Sequence, residues 1–305
     1  MRSRRRPLTR ALLAIGTLLL IANGTFPLLW MMLTSLKDEN ELIRMPITYV
    51  PDEPTLRNYV QVFEQLPFAR FMLNSAVVSV SATIACVTIA ALAGYALARL
   101  NMPYRRAILT AIVMTSMFPA LVLLVPLYRV FLGAEIPVVS QVVAFLHALG
   151  MTFVPADVQG PNLLNTYWAL IIPYVALSLP IATLILTSFF QLIPKDLESA
   201  ALVDGCTRLQ TLVKVIAPVS APGIVTAGII IFVNSWNEFL LALNFNTAMT
   251  MRTVPVGITM YQGEFAFPWA VISAAITIGV LPLVALILLF QQKIIAGLTA
   301  GGVKG

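Results

Sequence analysis

The sequence is short of most groups that a catalytic or metal-binding soluble protein uses. It holds one histidine, His147, which rules out a histidine-based metal cluster. It holds two cysteines, Cys86 in an apolar run and Cys206 in a polar stretch, and these cannot plausibly pair, so no disulfide framework exists. No Gly-x-x-x-x-Gly-Lys-Ser/Thr motif occurs, so the chain lacks the usual cradle for nucleotide phosphates. There is no His-Glu-x-x-His and no Gly-x-Ser-x-Gly, and we assign no catalytic residue, no metal ligand and no bound cofactor. Charge is scarce as well: 10% of residues are charged, where soluble domains carry about 25%. The net charge of +6 is too small and too scattered for nucleic acid.

What fills the chain is apolar: 59% of the 305 residues. Six runs stand out, at 11–36, 71–98, 107–130, 166–191, about 218–244 and 268–292. Each reaches the roughly 20 residues that a helix needs to cross a bilayer. The prediction is an all-α, polytopic membrane protein with six spans, surrounded by lipid. The first run follows Arg2-Ser3-Arg4-Arg5-Arg6 but is too long for a signal peptide and shows no small-residue cleavage site. We read it as an uncleaved span. Between the first two runs, residues 37–70 are polar and broken by Pro46, Pro51 and Pro54.

Residues 133–165 are the ambiguous piece. The uncharged part, 136–156, has the length of a seventh span. However, Val139, Val142, Val143, Leu146 and Phe153 share one helical face, Ser140, Gln141 and His147 lie off it, and Pro137, Gly150 and Pro155 interrupt it. That pattern suits a helix lying on the membrane surface, and we take His147 as a surface or interfacial histidine.

With six spans, basic residues segregate. One side holds Arg2, Arg4, Arg5, Arg6, Arg10, Arg99, Arg105, Arg106, Lys195, Arg208, Lys214, Lys293 and Lys304; the other holds Lys37, Arg44, Arg57, Arg70, Arg129 and Arg252. The positive-inside rule then places both termini and the 193–217 loop in the cytoplasm and 133–165 outside. The expected divisions are a basic N-terminus (1–10), a transmembrane domain (11–292) and a cytoplasmic tail (293–305).

The 193–217 loop carries Lys195, Asp196, Glu198, Asp204, Arg208 and Lys214. Each charge costs roughly 2.5–3.5 kcal/mol at a bilayer centre, about 15 kcal/mol or more for six, so the loop sits in water or against protein. Pro194 suits a helix start. Leu197, Ala200, Ala201 and Asp204 share a narrow face of mostly small residues, open to close approach by a partner backbone. Gly205 supplies a left-handed end, Thr207 caps a second helix from Arg208 to Ile216, and Pro218 stops it. The two short helices form a docking element.

Glu198-Ser199-Ala200-Ala201-x-x-Asp204-Gly205, with Ile216, Pro218 and Pro222 behind it, is similar to the EAA loop of ABC-importer permeases. Three positions depart from that pattern: Ser199 stands at the usual Glu, with Glu198 one residue early; Cys206 replaces Ala; and Ala217 replaces Leu. Further likenesses are Thr55 to Tyr59, Asn74-Ser75 with Gly94 to Arg99, the run at Asn165 to Trp168, Trp236-Asn237-Glu238-Phe239 and Thr253 to Gly257. The tail Gly297 to Gly305 resembles the end of the second permease subunit of maltose-type carbohydrate importers. Residues 133–160 match least and look like an insertion.

The resemblance implies a sugar permease, for a maltose, maltodextrin or trehalose type of substrate, working by alternating access. Its partners would be a second, related permease, two ATP-binding subunits that use ATP and Mg2+, and an extracytoplasmic sugar-binding protein. Glu198, Ser199, Ala200, Ala201, Asp204 and Gly205 would transmit force, and Gly301, Gly302 and Lys304 would reach the ATPase. Asn234, Trp236, Asn237 and Glu238 form a candidate sugar path, since amides suit hydroxyls and rings suit the apolar face of a sugar. Trp236 equally suits an interfacial aromatic belt. The rival reading is an ion-driven secondary transporter or channel, which needs paired acids or discontinuous helices at mid-membrane. Glu238 is its one candidate acid.

Overall fold

The computed structural model describes residues 7–133, 161–263 and 267–302. The described residues are helical, with no strand among them. In chain order the helices are α1 (Pro7–Ser35), α2 (Glu39–Leu42), α3 (Arg57–Gln65), α4 (Phe68–Arg99), α5 (Arg105–Ser116), α6 (Ala120–Phe131), α7 (Trp168–Leu192) and α8 (Lys195–Val203). There follow α9 (Arg208–Thr211), a π-helical turn (Leu212–Ile216), α10 (Ala217–Val219), α11 (Ala221–Asn237), α12 (Leu240–Phe245), a 3-10 turn (Met249–Met251), α13 (Val254–Thr259) and α14 (Trp269–Gly302).

Among the described residues, four stretches are long and apolar enough to cross a membrane: Leu12–Ser35, Phe68–Arg99, Trp168–Leu192 and Trp269–Gln292. Two bent pairs bring the number to six. α5 and α6 meet at 89°, and the Arg208–Val219 segment meets α11 at 84°. The expected third span at 107–130 is therefore two helices. Pro119, extended at φ −70° and ψ 132°, caps α6 and stops α5 from running on. The fifth span ends at Asn237 instead of near Asn244, because Glu238 turns to an extended conformation and α12 starts afresh. The expected surface helix with Val139, Ser140, His147 and Phe153 lies outside the described residues.

The chain divides into two compact units. Met1–Ala69 and Gly257–Pro282 make the first; Arg70–Val256 and Leu283–Gly305 make the second.

In the first unit, the polar stretch after α1 is folded. The buried Asn58 amide donates to the carbonyls of Ser35 and Lys37, both at 2.8 Å, and Ser35 Oγ lies 2.7 Å from Tyr59 Oη. Lys37 is buried too. Its ammonium donates to the carbonyl and hydroxyl of Thr48, lies 3.9 Å from Glu41 and sits 5.6 Å over the Trp30 ring. Tyr261 donates to the Val62 carbonyl at 2.5 Å, and burial pushes its phenol up to about 12. Glu39 accepts from the backbone N–H of Ala270 at 2.8 Å, which satisfies an otherwise free donor at the start of α14. Side chains 12–29 of α1, by contrast, meet almost nothing of their own chain.

Among its described residues, the second unit has two apolar clusters. One gathers Val78, Phe131, Leu170, Tyr174, Leu241 and Phe245. The other gathers Cys86, Ala90, Leu186, Phe190 and Ile231, and it takes in Ile193, Leu212 and Ile216 from the charged loop. That anchorage fixes the loop on the helix ends. Close approach needs glycine: a Cβ on Gly94 would lie 3.1 Å from the Thr187 backbone nitrogen. One on Gly223 would lie 2.3 Å from the Phe189 ring.

Candidate docking site

The charged loop folds as a bent pair of short helices. α8 opens after Pro194 and closes on Gly205. Gly205 has φ +84°, Cys206 N–H donates to the Ala201 carbonyl at 3.0 Å, and Gly205 N–H donates to Leu202 at 3.1 Å. This is the glycine-terminated helix end expected from the sequence. Thr207 caps α9: its hydroxyl accepts from Gln210 N–H at 3.3 Å, while the Gln210 side chain accepts from Thr207 N–H at 2.8 Å. The second helix is not stopped at Pro218, however. A π-helical turn precedes that proline, and the chain stays helical to Val219 before breaking at Ser220. The wider turn suits a proline that brings no N–H to the ladder.

α8 has two faces. Glu198 and Ala201 point inward, the former only 6% exposed. Leu197, Ser199, Ala200, Val203, Asp204 and Gly205 are exposed, Val203 at 88%. The face expected to be free therefore loses Ala201, while Leu197, Ala200 and Asp204 stay on it and Val203 joins them. These residues form an exposed stripe of apolar and small side chains on an otherwise charged loop.

Glu198 is held from three sides. Tyr95 Oη donates to its Oε1 at 2.8 Å, Arg208 Nη1 donates to the same oxygen at 2.7 Å, and Arg99 Nε faces Oε2 at 3.8 Å. Arg99 also donates through Nη2 to the carbonyls of Phe190 and Ile193, both at 2.5 Å, at the C-terminal end of α7. The Arg99 and Glu198 side chains are nearly sealed from solvent, while the Arg208 side chain is 56% exposed. A buried carboxylate needs this much partnering, since removing one member of a buried pair leaves an uncompensated charge. Glu198 faces inward, while Ser199, at the usual glutamate position of the resemblance, is exposed. Tyr95 and Arg99 were visible in the sequence only as a family-like helix end; their pairing spans about a hundred residues, and no local pattern discloses it.

The four candidate path residues separate. Asn234 and Asn237 are exposed on α11. Trp236 is buried and stacks on Phe232, ring centroids 5.6 Å apart, so it presents no ring to a path in this chain. Glu238 caps α12: its carboxylate accepts from the N–H groups of Leu241 (2.8 Å) and Ala242 (3.1 Å) and from Tyr174 Oη (2.6 Å). An anion at a helix N-terminus is favourable, and this one is engaged inside the chain. Gly301 and Gly302 are the last residues of α14, and Lys304 lies outside the described residues.

Residues 87–299 match the profile of the binding-protein-dependent transport system inner membrane component family. The chain belongs to this family. It is 50% identical, over 95% of its length and 93% of the relative, to the sulfoquinovosyl glycerol transport system permease protein SmoH of Agrobacterium fabrum. It is 37% identical, over 99% of both chains, to the trehalose/maltose transport system permease protein MalG of Thermococcus litoralis. Among solved structures, a bacterial ABC transporter involved in the import of the acidic polysaccharide alginate has a chain that superposes with TM-score 0.72 at 17% identity, covering 96% of this chain and 98% of that one. The chain is thus a carbohydrate-type ABC permease, a multi-pass protein of the inner membrane, and its relatives are transport subunits.

Proposed function

We propose that this permease is one of two related membrane subunits of an ATP-driven importer for a sugar or glycoside. A binding protein delivers the substrate to the outer face. Two separate ATP-binding subunits, using ATP and Mg2+, close and reopen on the inner face. The 193–217 loop lies in the cytoplasm with both termini, and α8 seats in a cleft of an ATP-binding subunit. Its motion switches a path between the two permeases from inward-facing to outward-facing. Asn234 and Asn237 are the path candidates of this chain, and Gly301, Gly302 and Lys304 belong to a tail that approaches the ATPase.

The observation that carries this reading is the build of α8: an exposed stripe of Leu197, Ala200, Val203 and Asp204 backed by the inward Glu198. The relatives' names support the substrate class. Trehalose, maltose and sulfoquinovosyl glycerol are all glycosides, so these three and maltodextrin form the test panel.

The test reconstitutes the permease with its neighbours in vesicles. Uptake of one panel sugar should require internal ATP and the binding protein; uptake that ignores ATP and follows an ion gradient would overturn the reading. Cys206 supplies a native topology reporter, since it is partly exposed while Cys86 is buried. A membrane-impermeant maleimide should label Cys206 in inside-out vesicles and leave it untouched in whole cells.

A further inference from the structure

The Glu198 cluster is more than an anchor. Arg99 ends α4, its guanidinium holds the last carbonyls of α7, and its Nε faces the carboxylate that seats α8. One side chain thereby joins two membrane-crossing helices and the docking helix. Five residues earlier, Gly94 of α4 sits close against the α7 backbone, where an added Cβ would lie 3.1 Å from the Thr187 nitrogen, so the two helices are tightly packed next to the cluster. On the far side of the loop the chain is built differently, with a π-helical turn and an 84° break before α11.

We infer that Tyr95, Arg99, Glu198 and Arg208 form a rigid clamp that delivers the displacement of α8 into α4 and α7 together, and that Glu198 and Arg99 are positioning residues of energy coupling. This inference rests on the docking reading above. Glu198 does not contact the ATP-binding subunit. It converts a push on the exposed stripe into a movement of the two helices, because a short helix held only by apolar contacts would tilt on its seat. Within the clamp, Arg208 is the solvent-side arm and Arg99 the buried one. Losing Arg99 therefore hurts coupling more than losing Arg208.

The experiment uses the complete importer in vesicles and measures three quantities: ATP-binding subunit retained, ATP hydrolysed, and sugar moved per ATP. Glu198→Gln keeps an acceptor for Tyr95 and Arg208 but removes the charge facing Arg99. Arg99→Lys keeps the charge but loses the fork. Both should retain the ATP-binding subunit and hydrolyse ATP, while sugar moved per ATP falls about tenfold and hydrolysis no longer responds to the binding protein. The double variant should be no worse than either single one. Tyr95→Phe, a milder change that leaves both charges, should give a smaller loss of the same kind. Wild-type sugar per ATP in Glu198→Gln and Arg99→Lys would overturn the clamp. So would a loss of subunit retention, hydrolysis and uptake in equal proportion across all of these variants, including Tyr95→Phe. Ala200→Trp, on the exposed stripe, separates the two levels. It should expel the ATP-binding subunit; normal coupling in Ala200→Trp would sink the docking reading itself, whatever the clamp variants do.

Discussion

Tyr174 Oη donates to Glu238 Oε2 at 2.6 Å, tying the second turn of α7 to the point where α11 gives way to α12. The carboxylate is thus shared between a phenol and two backbone N–H groups. Tyr174→Phe should leave assembly intact and lower stability by about 1.5–3 kcal/mol, the worth of a hydrogen bond to a charged group. Glu238→Ala should cost more, because it also uncaps α12. Thermal unfolding in detergent, followed in a Cys206→Ser background by a thiol-reactive dye at the buried Cys86, measures both. Equal stability in Tyr174→Phe and wild type would show that the contact carries no weight.

Gly223 packs under the Phe189 ring with no space for a methyl group. Gly223→Ala should destabilise by about 1–3 kcal/mol through overpacking. Adding Phe189→Ala should recover part of that loss, since the second change removes the obstructing atoms. Failure of the double variant to recover anything would place the cost in the backbone instead of the ring.

Gly205 presents the opposite case. It has φ +84°, and nothing lies within 4 Å of the place a Cβ would take, so only its backbone conformation is at stake. Gly205→Ala should cost about 1–2 kcal/mol at the end of α8, and Gly205→Asn should cost less. The readout is retention of the ATP-binding subunit at rising temperature, with the order Gly, Asn, Ala expected.

Burial pushes the Tyr261 phenol from about 10 up to about 12. The folded state therefore favours the protonated phenol, and its contribution is complete below about pH 10. It is lost as pH rises toward about 12, since the unfolded chain releases the proton first. Wild-type stability should fall over that window more steeply than that of Tyr261→Phe, which lacks the titrating group. Parallel pH profiles of the two proteins would refute this.

Features that depend on neighbours in sequence were readable without the structure. Apolar runs disclosed the long helices, Gly205 the end of α8, and Thr207 the start of α9. The break between α5 and α6 also had a signal, Phe118-Pro119, but a run of apolar residues on both sides masked it. Features that depend on distant partners were not readable. Nothing local to Glu198 says that it turns toward Tyr95 and Arg99, and nothing local to Trp236 says that it stacks inward on Phe232. Residues 37–70 show the same limit: their prolines advertise irregularity, while Asn58 and Lys37 organise the segment through contacts some twenty and eleven residues away along the chain.

From Leu12 to Leu29 the first helix is almost wholly uncovered by its own chain. Substitution there answers to a different judge from substitution in α4 or α7: greasiness and length matter, and the identity of each side chain matters little to this fold. Whatever holds that segment in place lies in the bilayer or on a neighbouring subunit, so its substitutions register in the assembled membrane complex and hardly at all in the folding of the single chain.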